Sequence, residues 1–328
     1  MTNPGRVSAP SGTIRLGRLR GIDLLIRPSL LFMAAVLISL FAPRFATNTN
    51  TNTNSYVLAS LFVFALYASV LVHEIAHVVL ARHYRMPVAS ITLHLLGGET
   101  AIEGESRGPA QEFWTSIVGP LASLGIGAIA WIIAGQLDTG DAHDVMSSIA
   151  AVNIVVAVFN LVPGLPLDGG RVLRSIVWGT SGNEATGTKA AGWLGRIFAV
   201  VVLIVPVLWL IRDQDSSAAA DLIVGILVAW FLWTGAGHAL RTADRSARLN
   251  KLNARTLGQA GVNPPVGSPP LPADLSGASL LRAMAGQPSD VYRLTENDGS
   301  TYGQLLADRV DDAYREPPAK DPSEPKYE

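Results

Sequence analysis

Six long apolar runs constrain this chain more than any other feature: roughly residues 28–43, 55–81, 112–135, 146–163, 195–211 and 221–240. A helix needs about 20 mostly apolar residues to cross the hydrocarbon of a bilayer, and each run approaches or exceeds that length. Backbone in lipid must satisfy its own hydrogen bonds, so such runs are helices rather than open strands. Charge is scarce in the same sense. Only 16% of the 328 residues are charged and 49% are hydrophobic, whereas a soluble domain carries about 25% charge. The expectation is an all-α polytopic membrane protein with about six transmembrane helices. A net charge of -1 removes the electrostatic argument for a nucleic-acid partner. The chain has no cysteine, which excludes disulfides and thiolate-held metals. Any metal here must be held by His and carboxylates.

The cations give the runs an orientation. Of the 25 Lys and Arg, 23 precede the first run, lie between the second and third or the fourth and fifth, or follow the sixth. Only Arg44 and Arg212 fall in the alternate connections. By the positive-inside rule, both termini are expected in the cytoplasm. Buried core helices of a soluble protein predict no such alternation. Arginines before the first run imitate a signal peptide, but no small-residue cleavage site follows.

Between the second and third runs, Ser90-Ile91-Thr92-Leu93-His94-Leu95 is β-prone and Gly97-Gly98 breaks it, so a small β-like membrane-associated segment is expected. The domain reading is a disordered N-terminus at 1–13, a membrane-embedded domain at 14–245 and a Pro-rich linker at 246–273. A short α/β cytoplasmic segment at 274–315 and a disordered tail at 316–328 complete it. A TNTNTNTN repeat precedes Ser55.

The second run contains His73-Glu74-Ile75-Ala76-His77. Residues four apart share a helix face, so both imidazoles can reach one metal ion, with Glu74 beside them to take the proton of an attacking water. Ionisable side chains in an apolar span are costly and point to function. The bland alternative is an interfacial helix end, since Arg82 and Arg85 follow. A catalytic site also needs a third protein ligand. Asp168, in Asn160-Leu161-Val162-Pro163-Gly164-Leu165-Pro166-Leu167-Asp168-Gly169-Gly170-Arg171, is the candidate. A helix N-cap is the competing use of an Asp before Gly. The charge-based topology puts His77 and Asp168 at the same, cytoplasmic ends of two antiparallel spans.

With HEIAH at 73–77 and NLVPGLPLDGGR at 160–171, the chain resembles the site-2 protease family of intramembrane zinc metalloproteases. SITLHLLGGET at 90–100, the Gly119-Pro120 pair and IRLGRLRGIDLLIRPS at 14–29 extend the likeness over about residues 14–245. The resemblance implies one Zn2+ per chain held by His73, His77 and Asp168, with Glu74 as general base. It gives Asn160 a hydrogen bond to substrate or oxyanion, against an interhelical amide bond with Asn153. It implies an endopeptidase of the plasma membrane of a bacterium, cleaving in or near transmembrane segments of membrane-tethered single-span substrates, as in regulated intramembrane proteolysis. The lipid bilayer is its medium, and Ile91–Leu96 is expected to offer a strand edge to unwound substrate. Ser123 stands where the family usually has Asn. The C-terminal part looks most like the subgroup with CBS domains, although the tail accommodates one degenerate CBS-like unit only.

A non-catalytic membrane scaffold or transporter retaining a metal site is the competing reading, and an intact Glu74 argues against it. A membrane-embedded HExxH peptidase of the other architecture would need a later Glu, and Glu184 lies in a loop. His83, His94, His143 and His238 have no spaced partner and read as surface or packing residues. Glu99, Glu103 and Glu105 alternate as one solvated strand face, a weak candidate for lining the substrate path.

Overall fold

The computed structural model describes residues 12–19, 21–46, 55–94, 97–102, 106–212 and 216–316. The TNTNTNTN repeat and nearly all of both expected disordered ends lie outside those residues, as do Glu103 and Glu105. The chain divides into two compact units, Met1–Ala236 and Gly237–Glu328.

The first unit opens with strands β1 (Ile14–Leu19) and β2 (Ile22–Ile26), then helices α1 (Pro28–Ala46) and α2 (Ser55–His83). Strands β3 (Val88–His94) and β4 (Gly97–Ile102) precede α3 (Pro109–Ala134), α4 (Asp141–Asn160), α5 (Asp168–Ser181), α6 (Glu184–Arg212) and α7 (Ser216–Asn250). Among the described residues, six helices are long and apolar enough to cross a membrane: α1, α2, α3, α4, α6 and α7. Their outward faces carry exposed Phe32, Leu40, Phe64, Trp131 and Trp230, a surface suited to lipid. Their contacts use small side chains, with Ala59, Ala150, Ala157 and Ala199 buried. Lipid supplies no hydrophobic force between helices, so close approach of small residues carries the packing.

Helix ends differ from the apolar runs for local reasons. Helix α4 starts at Asp141, ahead of the run at 146, because Asp141 and Asp144 occupy its first turn, where negative side chains suit the helix dipole. Helix α5 is amphipathic and too polar to read as a span.

The four strands form one sheet in the order β1-β2-β3-β4. β1 and β2 are antiparallel, β2 and β3 parallel, and β3 and β4 antiparallel. β-structure near 90–100 is thus present, but the expected pairing edge moves. β3 is interior, bonded on both sides, so Ile91–His94 offers no free edge; β4 is the edge strand on that side. Ile22 and Ile91 pack against Val78, with Ile75 beside them, which seats the sheet on the helix turn that carries His73–His77.

The second unit contains the end of α7, then α8 (Ala254–Leu257), β5 (Gln259–Ala260), β6 (Pro270–Pro272), α9 (Gly277–Gly286), β7 (Val291–Thr295), β8 (Thr301–Leu306) and α10 (Ala307–Arg315). Its sheet runs β5-β8-β7-β6. Residues 246–273 do not form the expected linker. α7 continues to Asn250, and Leu252, Ala254, Leu271 and Ala273 join Leu280, Tyr292, Leu294, Leu305 and Val310 in the core. The prolines mislead because β6 is an edge strand, where a missing N–H is tolerated. Pro270 and Pro272 flank Leu271, which points inward.

Candidate active site

Three elements carry the site. α2 supplies His73 and His77 one turn apart, α5 supplies Asp168 from its first turn, and α3 passes beneath both imidazoles. His73 Nε2 and His77 Nε2 lie 3.1 Å apart. Asp168 Oδ2 is 3.1 Å from the first and 3.4 Å from the second. The three side chains form a group able to hold a metal ion. Four donors placed tetrahedrally at about 2.0–2.1 Å from zinc stand about 3.3 Å from one another, so these separations suit a single shared cation.

The hydrogen bonds behind the imidazoles agree. His77 Nδ1–H donates to the carbonyl of Thr115 at 2.6 Å, an oxygen that can only accept, so Nε2 carries a lone pair. His73 Nδ1 lies 3.0 Å from Ser123 Oγ, which accepts from it in the same tautomer. In that tautomer two nitrogen lone pairs and a carboxylate oxygen converge as a donor set for one cation. All three histidine and glutamate side chains of the motif are buried, His73 and His77 at 5% exposure and Glu74 at 7%.

Local sequence explains how α3 and α5 come so close. A Cβ at Gly119 would overlap His77 Nε2 and stand 2.6 Å from His73 Nε2, so only glycine lets α3 pack beneath the pair. A Cβ at Gly169 would overlap the Leu161 carbonyl, where the turn after α4 folds onto the start of α5. The competing role of Asp168 is also decided. Leu167 is the N-cap of α5, no side-chain cap bond forms, and the Asp168 carboxylate faces the imidazoles instead.

Glu74 does not belong to the three-residue group. Its Oε2 accepts a hydrogen bond from Thr100 Oγ1 of β4 at 2.5 Å. Glu74, the two histidines and Asp168 line one cavity of about 820 Å³, together with Arg27, His94, Thr100, Asn160 and Arg171. Val155, Phe159, Val228 and Phe231 form its apolar wall. Asn160 is on the cavity wall as the last residue of α4; Asn153, its alternative partner, instead donates from Nδ2 to the Ile149 carbonyl at 2.9 Å. Glu184 lies outside the group, 3.6 Å from Arg174.

Sequence reasoning missed several residues around the site. His94 lines the cavity rather than a plain surface. Ser123 is one helical turn after Gly119, and that spacing was the signal that it faces His73. Thr100 carried no signal at all. Glu112, in the first turn of α3, is fully buried. It accepts from Arg171 Nε at 3.0 Å and from Ser106 Oγ, and it pairs with Arg174 at 2.6 Å. Hydrogen-bond partners of the converging side chains, such as Ser123 on His73, tune a metal site through its ligands. Replacing Ser123 by Ala removes the acceptor for His73 Nδ1. We expect about 10–100-fold weaker metal binding, measured by competition with a chromogenic chelator.

Comparison with known proteins agrees with this geometry. Residues 61–144 and 136–205 match the model of peptidase family M50. The chain is 33% identical to Rip3 of Mycobacterium tuberculosis over 236 residues, covering 68% of this chain and 57% of that protein. It is 31% identical to sll0528 of Synechocystis sp. over 246 residues, 74% of this chain and 64% of that protein. With zinc metalloprotease MJ0392 of Methanocaldococcus jannaschii it shares 27% identity over 251 residues, 75% and 66% of the two chains. The chain thus spans less than two thirds of the length of these curated relatives. The solved structure of a site-2 protease from Methanocaldococcus jannaschii superposes with a TM-score of 0.50 at 26% identity, covering 70% of this chain and 95% of that one. Residues 61–205, which include His73, Glu74, His77 and Asp168, thus match the model of peptidase family M50, and the chain is similar to proteins named zinc metalloprotease and site-2 protease.

Proposed function

We propose that the first unit is an intramembrane zinc endopeptidase that hydrolyses peptide bonds in or near the transmembrane segments of membrane-tethered, single-span proteins. The observation that carries this reading is the convergence of His73 Nε2, His77 Nε2 and Asp168 Oδ2 at 3.1–3.4 Å, beside Glu74 in one cavity. Relatives bearing the names zinc metalloprotease and site-2 protease support it. Two imidazoles and one carboxylate, with a position left over, match the donor set of catalytic rather than structural zinc. Bound there, zinc supplies Lewis-acid polarisation of the scissile carbonyl and lowers the pKa of water toward about 7.

The side chains divide the remaining work. Glu74 accepts a proton from the attacking water and returns it to the leaving amine. Thr100 holds Oε2 of Glu74 by a hydrogen bond, which leaves Oε1 to carry that proton. Asn160 donates from the cavity wall to the substrate backbone or the oxyanion. A transmembrane helix has its carbonyls already bonded and must unwind before it is cut. Edge strand β4 supplies main-chain partners for the unwound segment, independent of its sequence.

The cationic loops support a topology with both termini in the cytoplasm of a bacterium and the site toward that face of the plasma membrane. Within the same reading, residues 274–315 are a single degenerate CBS-like unit, and the substrates are tethered regulators released by regulated intramembrane proteolysis. The test uses the full chain in proteoliposomes with a single-span reporter. Stripping metal with 1,10-phenanthroline is expected to stop cleavage and stoichiometric zinc to restore it. Cleavage that persists in the metal-free chain would overturn the proposal.

A further inference from the structure

We propose that Arg171 is a catalytic residue, a cation held by Glu112 and directed at the carbonyl under attack. This rests on the peptidase reading and adds to it a charged donor, beside Asn160, for the developing negative charge.

Four observations carry it. Arg171 is three residues after Asp168 on α5, so it shares that residue's face of the helix. It lines the same cavity as Glu74 and the three converging ligand atoms, with 32% of its side chain still accessible. Its Nε donates to Glu112 Oε1 at 3.0 Å. Among the described residues, no hydrogen bond uses its terminal Nη1 and Nη2. A guanidinium gripped by its inner edge presents two free N–H donors at the outer edge, in a plane fixed by the grip.

Glu112 is built to hold rather than to react. It is fully buried, with Oε1 shared by Arg171 and Arg174 and Oε2 bonded to Ser106 Oγ. One carboxylate facing two guanidiniums leaves positive charge in excess. Arg174 turns its excess toward Glu184 at 3.6 Å, and Arg171 turns its own toward the cavity. Burying that much ionic structure to anchor α5 alone is an expensive choice in an apolar surrounding. A preorganised donor for a transition-state oxyanion accounts for the arrangement.

The chemistry balances without change at Arg171. Water adds through oxygen to the carbonyl carbon and its proton passes to Glu74. The π electrons move onto the carbonyl oxygen, which accepts hydrogen bonds from the Arg171 Nη groups. Collapse breaks the C–N bond as Glu74 protonates the amine. Arg171 stays protonated throughout.

The test is Arg171→Met in the full chain, assayed in proteoliposomes on a single-span reporter that the unaltered chain cleaves. Zinc content, kcat, KM and affinity for a phosphinic peptide spanning the cleaved bond are measured together. We expect zinc to stay at one per chain, KM to change by less than about threefold, and kcat to fall about 10²–10³-fold. Affinity for the tetrahedral phosphinate should fall by the same factor. An anchor for α5 alone would predict lost zinc, or lost kcat with phosphinate affinity unchanged, and either result overturns the proposal. Should Arg171→Met fail to fold, Arg171→Lys keeps the ion pair with Glu112 but lacks the fork. It should then lose at least about tenfold in kcat, and unaltered kcat would refute the role. If the unaltered chain cleaves only when Glu74 is intact, yet Arg171→Met matches it, this inference alone falls.

Discussion

Replacing Glu74 by Gln should slow peptide-bond cleavage by about 10²–10⁴-fold while zinc remains at one per chain. The two halves of that expectation have separate causes. Gln has nearly the shape of Glu, and its carbonyl can still accept the hydrogen bond that Thr100 Oγ1 donates to Oε2, so the side chain keeps its place. Glu74 is also absent from the group formed by His73, His77 and Asp168, so metal binding survives. What is lost is the lone pair that accepts a proton from water. The measurement is single-turnover cleavage of a membrane-tethered reporter beside metal analysis of the same sample. In cells, comparative membrane proteomics of the two strains should show single-span fragments accumulating in the variant. Undiminished cleavage by Glu74→Gln would remove the protease assignment and return the scaffold or transporter reading.

The second large effect is expected at Asp168. Its Oδ2 is the only oxygen of the converging trio, and Ala at that position leaves two buried imidazole lone pairs without their anionic partner. Structural zinc binding of about 10–16 kcal/mol over four ligands is about 2.5–4 kcal/mol per ligand, so zinc affinity should fall by about 10²–10³-fold. Activity should disappear at ordinary zinc concentrations. The fold should persist, because α5 is held by Glu112 through Arg171 and Arg174, and by the close packing of Gly169 on the Leu161 carbonyl. Equilibrium dialysis against zinc, with circular dichroism as the control for helix content, checks both statements. Unchanged stoichiometric zinc in Asp168→Ala would point to a different third ligand. Glu184, the acid that the other HExxH architecture would call on, is engaged near Arg174 at 3.6 Å.

These residues differ in how far their amino-acid sequence alone reveals them. His73, Glu74 and His77 can be read directly, because a spacing of four on a helix is a local geometric fact. Asp168 can be named but not assigned, since an Asp before Gly serves equally well as a cap. That choice turns on Leu167 taking the cap position and on α5 meeting α2 across 95 residues of chain. Glu112 gives no warning. An acid in the first turn of a helix ordinarily faces solvent, and its burial depends on Arg171, 59 residues away. The same holds for the Pro-rich stretch at 262–273. Proline content reads as a linker, whereas β6 is an edge strand that tolerates it.

By itself, the sequence determined the membrane character, the number of spans, the His-Glu-His face and the exclusion of thiolate ligands. Each of these follows from composition or from spacing within one element, where the helix period or the bilayer thickness does the reading. Only the tertiary structure decided that Asp168 is a third converging donor, that Ser123 and Thr115 orient the imidazoles, and that β4 rather than β3 is the edge beside Glu74. It also decided that Arg171 faces the cavity with its inner edge held. These depend on which faces of distant helices meet at about 3 Å, hydrogen-bonding distance. Small residues such as Gly119 permit that contact, but no local pattern specifies its partner.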